Sequence, residues 1–196
     1  MEKQRTLPQY RAIDLSLFGL MLIVSEYLIV RAANHWFPAQ PYTVSVAAAL
    51  VTIVYMRWGW WGGIHAVLAG LVFCFFSSAS PAQYVIYCGG NLLSLLAAAL
   101  LLRIGKERVR TGKLALVLPL LTLLLMQVGR ASLALLLGAA LAEAAGFFIT
   151  DSLSYLFTLV IVWIARRLDG VYEDQKHYLL RLHAQREHEK EVRNES

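Results

Sequence analysis

The chain has 196 residues, 58% of them hydrophobic and only 16% charged, with a mean hydropathy of +0.56. Soluble domains use roughly 45–50% apolar residues, so the composition defines an all-α membrane protein, and about six spans of about 20 residues each would consume most of its length. The net charge of +5 and pI near 9.4 sit in short loop clusters that orient a membrane protein, which removes the reason to invoke nucleic-acid binding.

In chain order, Lys3, Arg5 and Arg11 precede an apolar run over 13–33 that is too long for the core of a cleaved signal and carries Glu26, so it reads as a retained first helix. Pro38 and Pro41 interrupt the chain over 34–41. A short second span over 42–56, a Gly-rich turn over 57–63 and a third span ending near Phe76 follow. After a polar turn at 77–81, the fourth span covers 83–102, the fifth 114–137 and the sixth 146–165, with 138–145 as a small-residue loop or helix top. The expected fold is a six-transmembrane-helix bundle over 1–167 followed by a charged cytosolic C-terminal helix over 168–196.

Orientation follows from the loop over 103–113, where Arg103, Lys106, Arg108, Arg110 and Lys113 face Glu107 alone. Short Lys/Arg-rich loops stay in the cytosol. With this loop inside, the basic N-terminus, Arg57, Arg166 and Arg167 also fall inside, which places both termini of a multi-pass cell-membrane protein in the cytosol. The tail holds seven acidic and seven basic residues from Arg166 onward and reads as a solvated helix with a weak stripe of Val171, Tyr172, Tyr178, Leu179 and Leu182.

Small residues recur at four-residue spacing in Gly62-x-x-x-Ala66-x-x-x-Gly70, Gly90-x-x-x-Ser94-x-x-x-Ala98 and Gly138-x-x-x-Ala142-x-x-x-Gly146. Such rows allow close approach of helix backbones, within one bundle or toward another membrane subunit. Cys74 and Cys88 read as small buried hydrophobes near the outer ends of neighbouring spans, where a disulfide is geometrically conceivable.

The functional signal lies in five residues of the apolar runs. Glu26, Asn91, Gln127, Arg130 and Asp151 fall at similar depth, above the midplane, when counted at about 1.5 Å per residue. Charges in hydrocarbon cost about 2.5–3.5 kcal/mol on insertion scales, so several kept at one level point to joint use. Gln127 and Arg130 share a helix face, as do Asp151 and Tyr155. Arg130 needs Glu26, Asp151 or an anionic ligand beside it, since guanidinium does not lose its charge. The reading is a substrate-binding pocket of Glu26, Asn91, Gln127, Arg130, Asp151 and Tyr155, closed by a gating loop of His35, Trp36 and Phe37. Helix-to-helix ion pairing and hydrogen-bond glue are the alternative, and His65, lower in the third span, reads as a buried structural histidine.

Enzymatic patterns are absent. Ser94 and Ser154 lack a Gly-flanked nucleophile setting, no span carries two histidines four apart with a glutamate, and His177, His183 and His188 fall on different faces of the tail. No metal or other cofactor is expected.

The stretch YMRWGWWGGIHAVLAGLVF and the pattern of six short helices in about 200 residues resemble the substrate-binding S components of energy-coupling-factor transporters. The resemblance covers the span pattern over 13–165 and one motif-like segment over 57–70. It implies capture of a small, vitamin-like solute, anionic or zwitterionic, from outside and docking onto a separate transmembrane coupling subunit with two ATPases; membrane lipid is the surrounding solvent. The chain itself has no Gly-rich phosphate loop. Its first helix, SLFGLMLIVSEYLIV, lacks the Ala-x-x-x-Ala face of many members, and Met1-Glu2-Lys3 in place of a Met-His end argues against a metal substrate. The competing reading is a non-catalytic membrane scaffold or cell-envelope assembly protein that holds partners with its tail.

Overall fold

Gly59 turns the chain through φ +61°, a conformation that suits glycine, and thereby folds one 30-residue apolar stretch into two short helices packed against each other. The computed structural model describes residues 6–36, 44–182 and 184–185, and among these it is all-helical. The helices are α1 (Leu7–Trp36), α2 (Ala47–Trp58), α3 (Gly62–Phe76), a composite α4 (Pro81–Ile104), α5 (Lys106–Thr111), α6 (Leu114–Leu136), α7 (Leu141–Thr150) and α8 (Ser152–Ala165). Residues 175–182 form a further helical segment, α9. Among the described residues, five stretches are long and apolar enough to cross a membrane: Leu7–Trp36, Ala47–Phe76, Pro81–Ile104, Leu114–Leu136 and Leu141–Ala165.

Contacts between named residues give the directions. Glu26 meets Ser45 and Asp14 meets Arg57, so α2 runs against α1. His65 bonds Leu15 and Phe76 packs on Tyr27, so α3 runs alongside α1. Asn91 reaches Ala66 and Gly70 abuts Cys88, Asn91 reaches Arg130 and Gly89 faces Leu133, and Arg130 reaches Asp151 while Gln127 meets Tyr155, which makes α3, α4, α6 and α8 successively antiparallel. The Ala-rich core helix α2 is buried along almost its whole length.

Several boundaries differ from the sequence reading. α1 continues through the polar residues before Ile13, α2 begins at Ala47 rather than at 42, and the basic loop holds the short helix α5. Of the two readings of 138–145, the helix top is the one found, helical from Leu141, as its run of alanines favours. Asp151 sits at the break between α7 and α8. Cys74 and Cys88 are free thiols.

The small-residue rows separate into two kinds. A Cβ on Gly129 would lie 2.1 Å from the Gly90 carbonyl oxygen, and one on Gly90 would lie 2.5 Å from the Arg130 amide nitrogen. A Cβ on Gly70 would meet the Tyr87 and Cys88 backbone at 2.7 Å. These glycines therefore set the close approach of α3, α4 and α6 around Asn91 and Arg130. Among the described residues, nothing lies within 4 Å of a Cβ built on Gly138 or Gly146, so these two glycines make no close helix approach there.

The end remote from Arg130 is closed by a second polar cluster. Arg57 pairs with Asp14 at 2.6 Å and donates to the carbonyls of Gly170 and Val171, while Trp58 Nε1 donates to Asp14 at 2.5 Å. The start of the tail packs here: Tyr172 is buried, Asp174 pairs with Lys106 at 2.6 Å, and Glu173 pairs with Arg110 and Arg181 at 3.0 and 2.7 Å. Burial alone would raise the Asp174 carboxyl, but Lys106 and the amides of His177 and Lys176 outweigh it and hold it below its ordinary value.

Gly129→Leu is expected to destabilise the fold by about 1–3 kcal/mol or more, through overpacking against Gly90. Gly146→Leu should stay within about 0.5 kcal/mol of wild type. Unfolding of both variants by titrated denaturing detergent measures the contrast.

Candidate functional site

Arg130 lies in the last two turns of α6, where the Gly90/Gly129 crossing brings its backbone against α4. Its Nε donates to Asn91 Oδ1 at 2.8 Å and its Nη1 to Asp151 Oδ2 at 2.9 Å. The guanidinium carbon stands 4.7 Å from the centre of the Tyr87 ring. Arg130 is 6% exposed and Asp151 5%, so this is an ion pair in a low-dielectric interior.

The irregularity of α4 places these partners. A wide turn over Val85–Gly89 and a tight one over Leu92–Ser94 flank Gly90 and Asn91. Wide helical turns of this kind recur at functional sites, where they re-aim side chains. Tyr87 thereby meets Arg130 on α6, Phe73 on α3 at 4.6 Å between ring centres and Phe147 on α7 at 5.8 Å. Asn91 is fixed from its other end, its Nδ2 donating to the Ala66 carbonyl at 2.9 Å.

Glu26 approaches from α1 and is 1% exposed. Its Oε1 accepts from Ser45 Oγ at 2.7 Å and from the Val46 amide at 3.1 Å, which satisfies donors just ahead of α2. The Ser45 amide in turn donates to Ser154 Oγ on α8 at 3.0 Å. Glu26, Ser45, Ala47, Ala69, Phe73, Tyr87, Arg130 and Asp151 enclose a cavity of about 10 Å³, room for about one water molecule.

Of the residues singled out in the sequence, Glu26, Arg130 and Asp151 share this cavity, and Asn91 holds Arg130 beside it. Gln127 and Tyr155 form an adjacent pair, the Tyr155 hydroxyl donating to Gln127 Oε1 at 2.5 Å. Gln127 Nε2 is buried and has no hydrogen-bond partner among the described residues. His35 and Trp36 are exposed at the end of α1 and do not line the cavity, and Phe37 lies outside the described residues. His65 bonds the Leu15 carbonyl at 2.9 Å, away from the site. Sequence reading passed over Ser45, Phe73 and Tyr87, and it weighed Ser154 only as a nucleophile; none carries a spacing signal in an apolar run.

Chemically, the locus offers two carboxylates, one guanidinium, an amide, two hydroxyls and aromatic faces. One of the hydroxyls, Ser45 Oγ, donates to the Glu26 carboxylate at 2.7 Å. Among the described residues there is no group of three or more His, Cys, Asp or Glu side chains suited to a metal ion. No protein-family model, curated protein or solved structure matches this chain.

Removing either member of the ion pair strands a charge in the interior. Arg130→Met and Asp151→Leu should each cost about 3–5 kcal/mol. The double replacement Arg130→Met with Asp151→Leu should cost less than the two single losses together, a coupling of about 0.5–3 kcal/mol. A double-mutant cycle of detergent unfolding curves reads it.

Proposed function

We propose that this chain is a substrate-binding membrane subunit for uptake of a small, vitamin-like solute, of the kind that S components provide to energy-coupling-factor transporters. In this reading the bundle crosses the cell membrane six times, with α2 and α3 as separate short crossings and both termini in the cytosol. The coupling subunit and ATPases are separate polypeptides.

One observation carries the proposal: α1, the break between α7 and α8, and α6 each bring an ionisable side chain to the same small cavity. A bundle that merely needed an ion pair for cohesion would keep two charges. This one keeps Glu26 as well, against the cost of holding a carboxylate in hydrocarbon. The cavity also lies at the end of the bundle away from the basic loop and the tail, as expected for a site loaded from outside.

The roles follow from position. Arg130, Asn91 and Asp151 form the floor, Gln127 contributes its Nε2, which has no partner among the described residues, and Tyr155 fixes that side chain from α8 through Oε1. At about 10 Å³ the described arrangement is closed, so solute entry requires the outer helix ends to part. His35 and Trp36 close α1, and in this reading they and Phe37, the next residue in the chain, would meet an entering solute.

Full-length protein purified in mild detergent is expected to carry one small molecule near equimolar amount, identified by mass spectrometry after release. Gln127→Ala, which leaves the ion pair in place, should lower retention about 10-fold, the effect of losing roughly 1.4 kcal/mol. Absence of any retained solute, together with normal folding, would remove the proposal's basis.

A further inference from the structure

Ion pairing at the end remote from Arg130 consumes the acids and leaves cations over. Asp14 is held by Arg57, Glu107 by Arg110, Glu173 by Arg110 and Arg181, and Asp174 by Lys106. Among the described residues of this end, Asp169 is the one acid outside an ion pair; it is exposed, and its charge bears on Arg110. Lys113, Arg166 and Arg167 form no ion pair with any described residue.

These three cations stand together where α6 starts and α8 ends. Arg166 Nη2 donates to the Thr111 carbonyl at 3.0 Å, which ties the end of α8 to the chain just before Lys113. The Arg167 guanidinium lies 4.0 Å from the centre of the Trp163 ring. A guanidinium stacked on an indole keeps its edge N–H donors free for an anion. Lys113 and Arg167 are exposed and Arg166 is half-buried.

On the membrane side of these cations the surface is apolar. Val160, Trp163, Ile164 and Arg167 recur at three- and four-residue spacing, so one exposed face of α8 runs from apolar side chains to a charge. Val117 and Lys113, one turn apart, do the same at the start of α6. Tryptophan at such a boundary sits at headgroup depth. A soluble anion would engage the cations alone, whereas a phospholipid engages the cations and the apolar face together, and charge complementarity requires its headgroup to be anionic.

We propose that this seam between α6 and α8 binds an anionic phospholipid, its phosphate held by Lys113, Arg166 and Arg167 and its acyl chains lying along Val117, Val160 and Ile164. Arginine forks engage phosphate oxygens in pairs, and basic pockets between helix ends are recurrent headgroup sites. The seam lies about 25 Å along α6 from Arg130, so it is independent of solute binding at the other end.

Full-length protein in mild detergent is titrated separately with phosphatidylglycerol, phosphatidylcholine and inorganic phosphate, and bound molecules are counted by native mass spectrometry. Phosphatidylglycerol is expected to bind more tightly than phosphatidylcholine. Its apparent affinity should fall about 5-fold in Lys113→Gln and in Arg167→Gln, the effect of one surface cation. It should stay within about 2-fold in Arg103→Gln, which removes an exposed cation of the same end on α4. The comparison of the two phospholipids on wild-type protein needs no variant to fold. Equal binding of the two would overturn the proposal. An equal loss in Arg103→Gln would also overturn it, since the attraction would then belong to the whole basic end. Inorganic phosphate binding as tightly as the lipid, with the same losses in Lys113→Gln and Arg167→Gln, would replace the phospholipid with a free anion.

Discussion

A guanidinium that cannot shed its charge, buried between helices, dictates the arrangement around it. Arg130 demands an anion and hydrogen-bond acceptors within reach, and it finds Asp151 at 2.9 Å and Asn91 at 2.8 Å. Meeting both conditions fixes the spacing of three elements. α4 must come close enough for Asn91 to touch α6, which is why Gly90 and Gly129 face each other without side chains. The break between α7 and α8 must fall where Asp151 can turn inward. Backbone packing and electrostatics thus enforce the same crossing, and neither is secured without the other.

The opposite end repeats the logic with different parts. Asp14, Arg57 and Trp58 form a polar knot between α1 and α2, and the carbonyls at Gly170 and Val171 complete the donors of Arg57. The first part of the tail is therefore a closing element of the bundle, held by Tyr172 beneath it and by Lys106 and Arg110 beside it. Between the two polar ends lies an apolar core centred on α2, from Ala47 to Met56.

Much of the helical layout was legible because apolar runs separated by Pro, Gly and basic clusters state where helices stop. The errors have physical causes. Polar residues before Ile13 continue α1 because helix propagation does not require apolar side chains. Between the loop and the helix top left open for 138–145, the alanines around Ala144 decide for the helix. In the site, Arg130 was visible as an unneutralised charge, yet its partner was not: Glu26 and Asp151 lie at the same depth, and only the break at Asp151 decides between them. Ser45, Ser154 and Tyr87 were invisible because a hydroxyl or ring in an apolar run gives no periodic signal. The wide turn at Val85–Gly89, which aims Tyr87, has no composition of its own. Asp14, at the edge of the first run, was passed over in the sequence and is the partner of Arg57.

The convergence of separate helices on Arg130 is the claim on which the functional reading stands. Solid-state NMR on full-length protein in lipid bilayers, with nitrogen-labelled arginine and carbon-labelled aspartate, tests it by the dipolar coupling between guanidinium nitrogens and carboxylate carbons. Two contacts are expected, one from Arg57 with Asp14 and one from Arg130 with Asp151, and Asp151→Leu should abolish the second while sparing the first. A spectrum unchanged by Asp151→Leu would mean that Arg130 is neutralised elsewhere, and the site described here would not exist in the membrane.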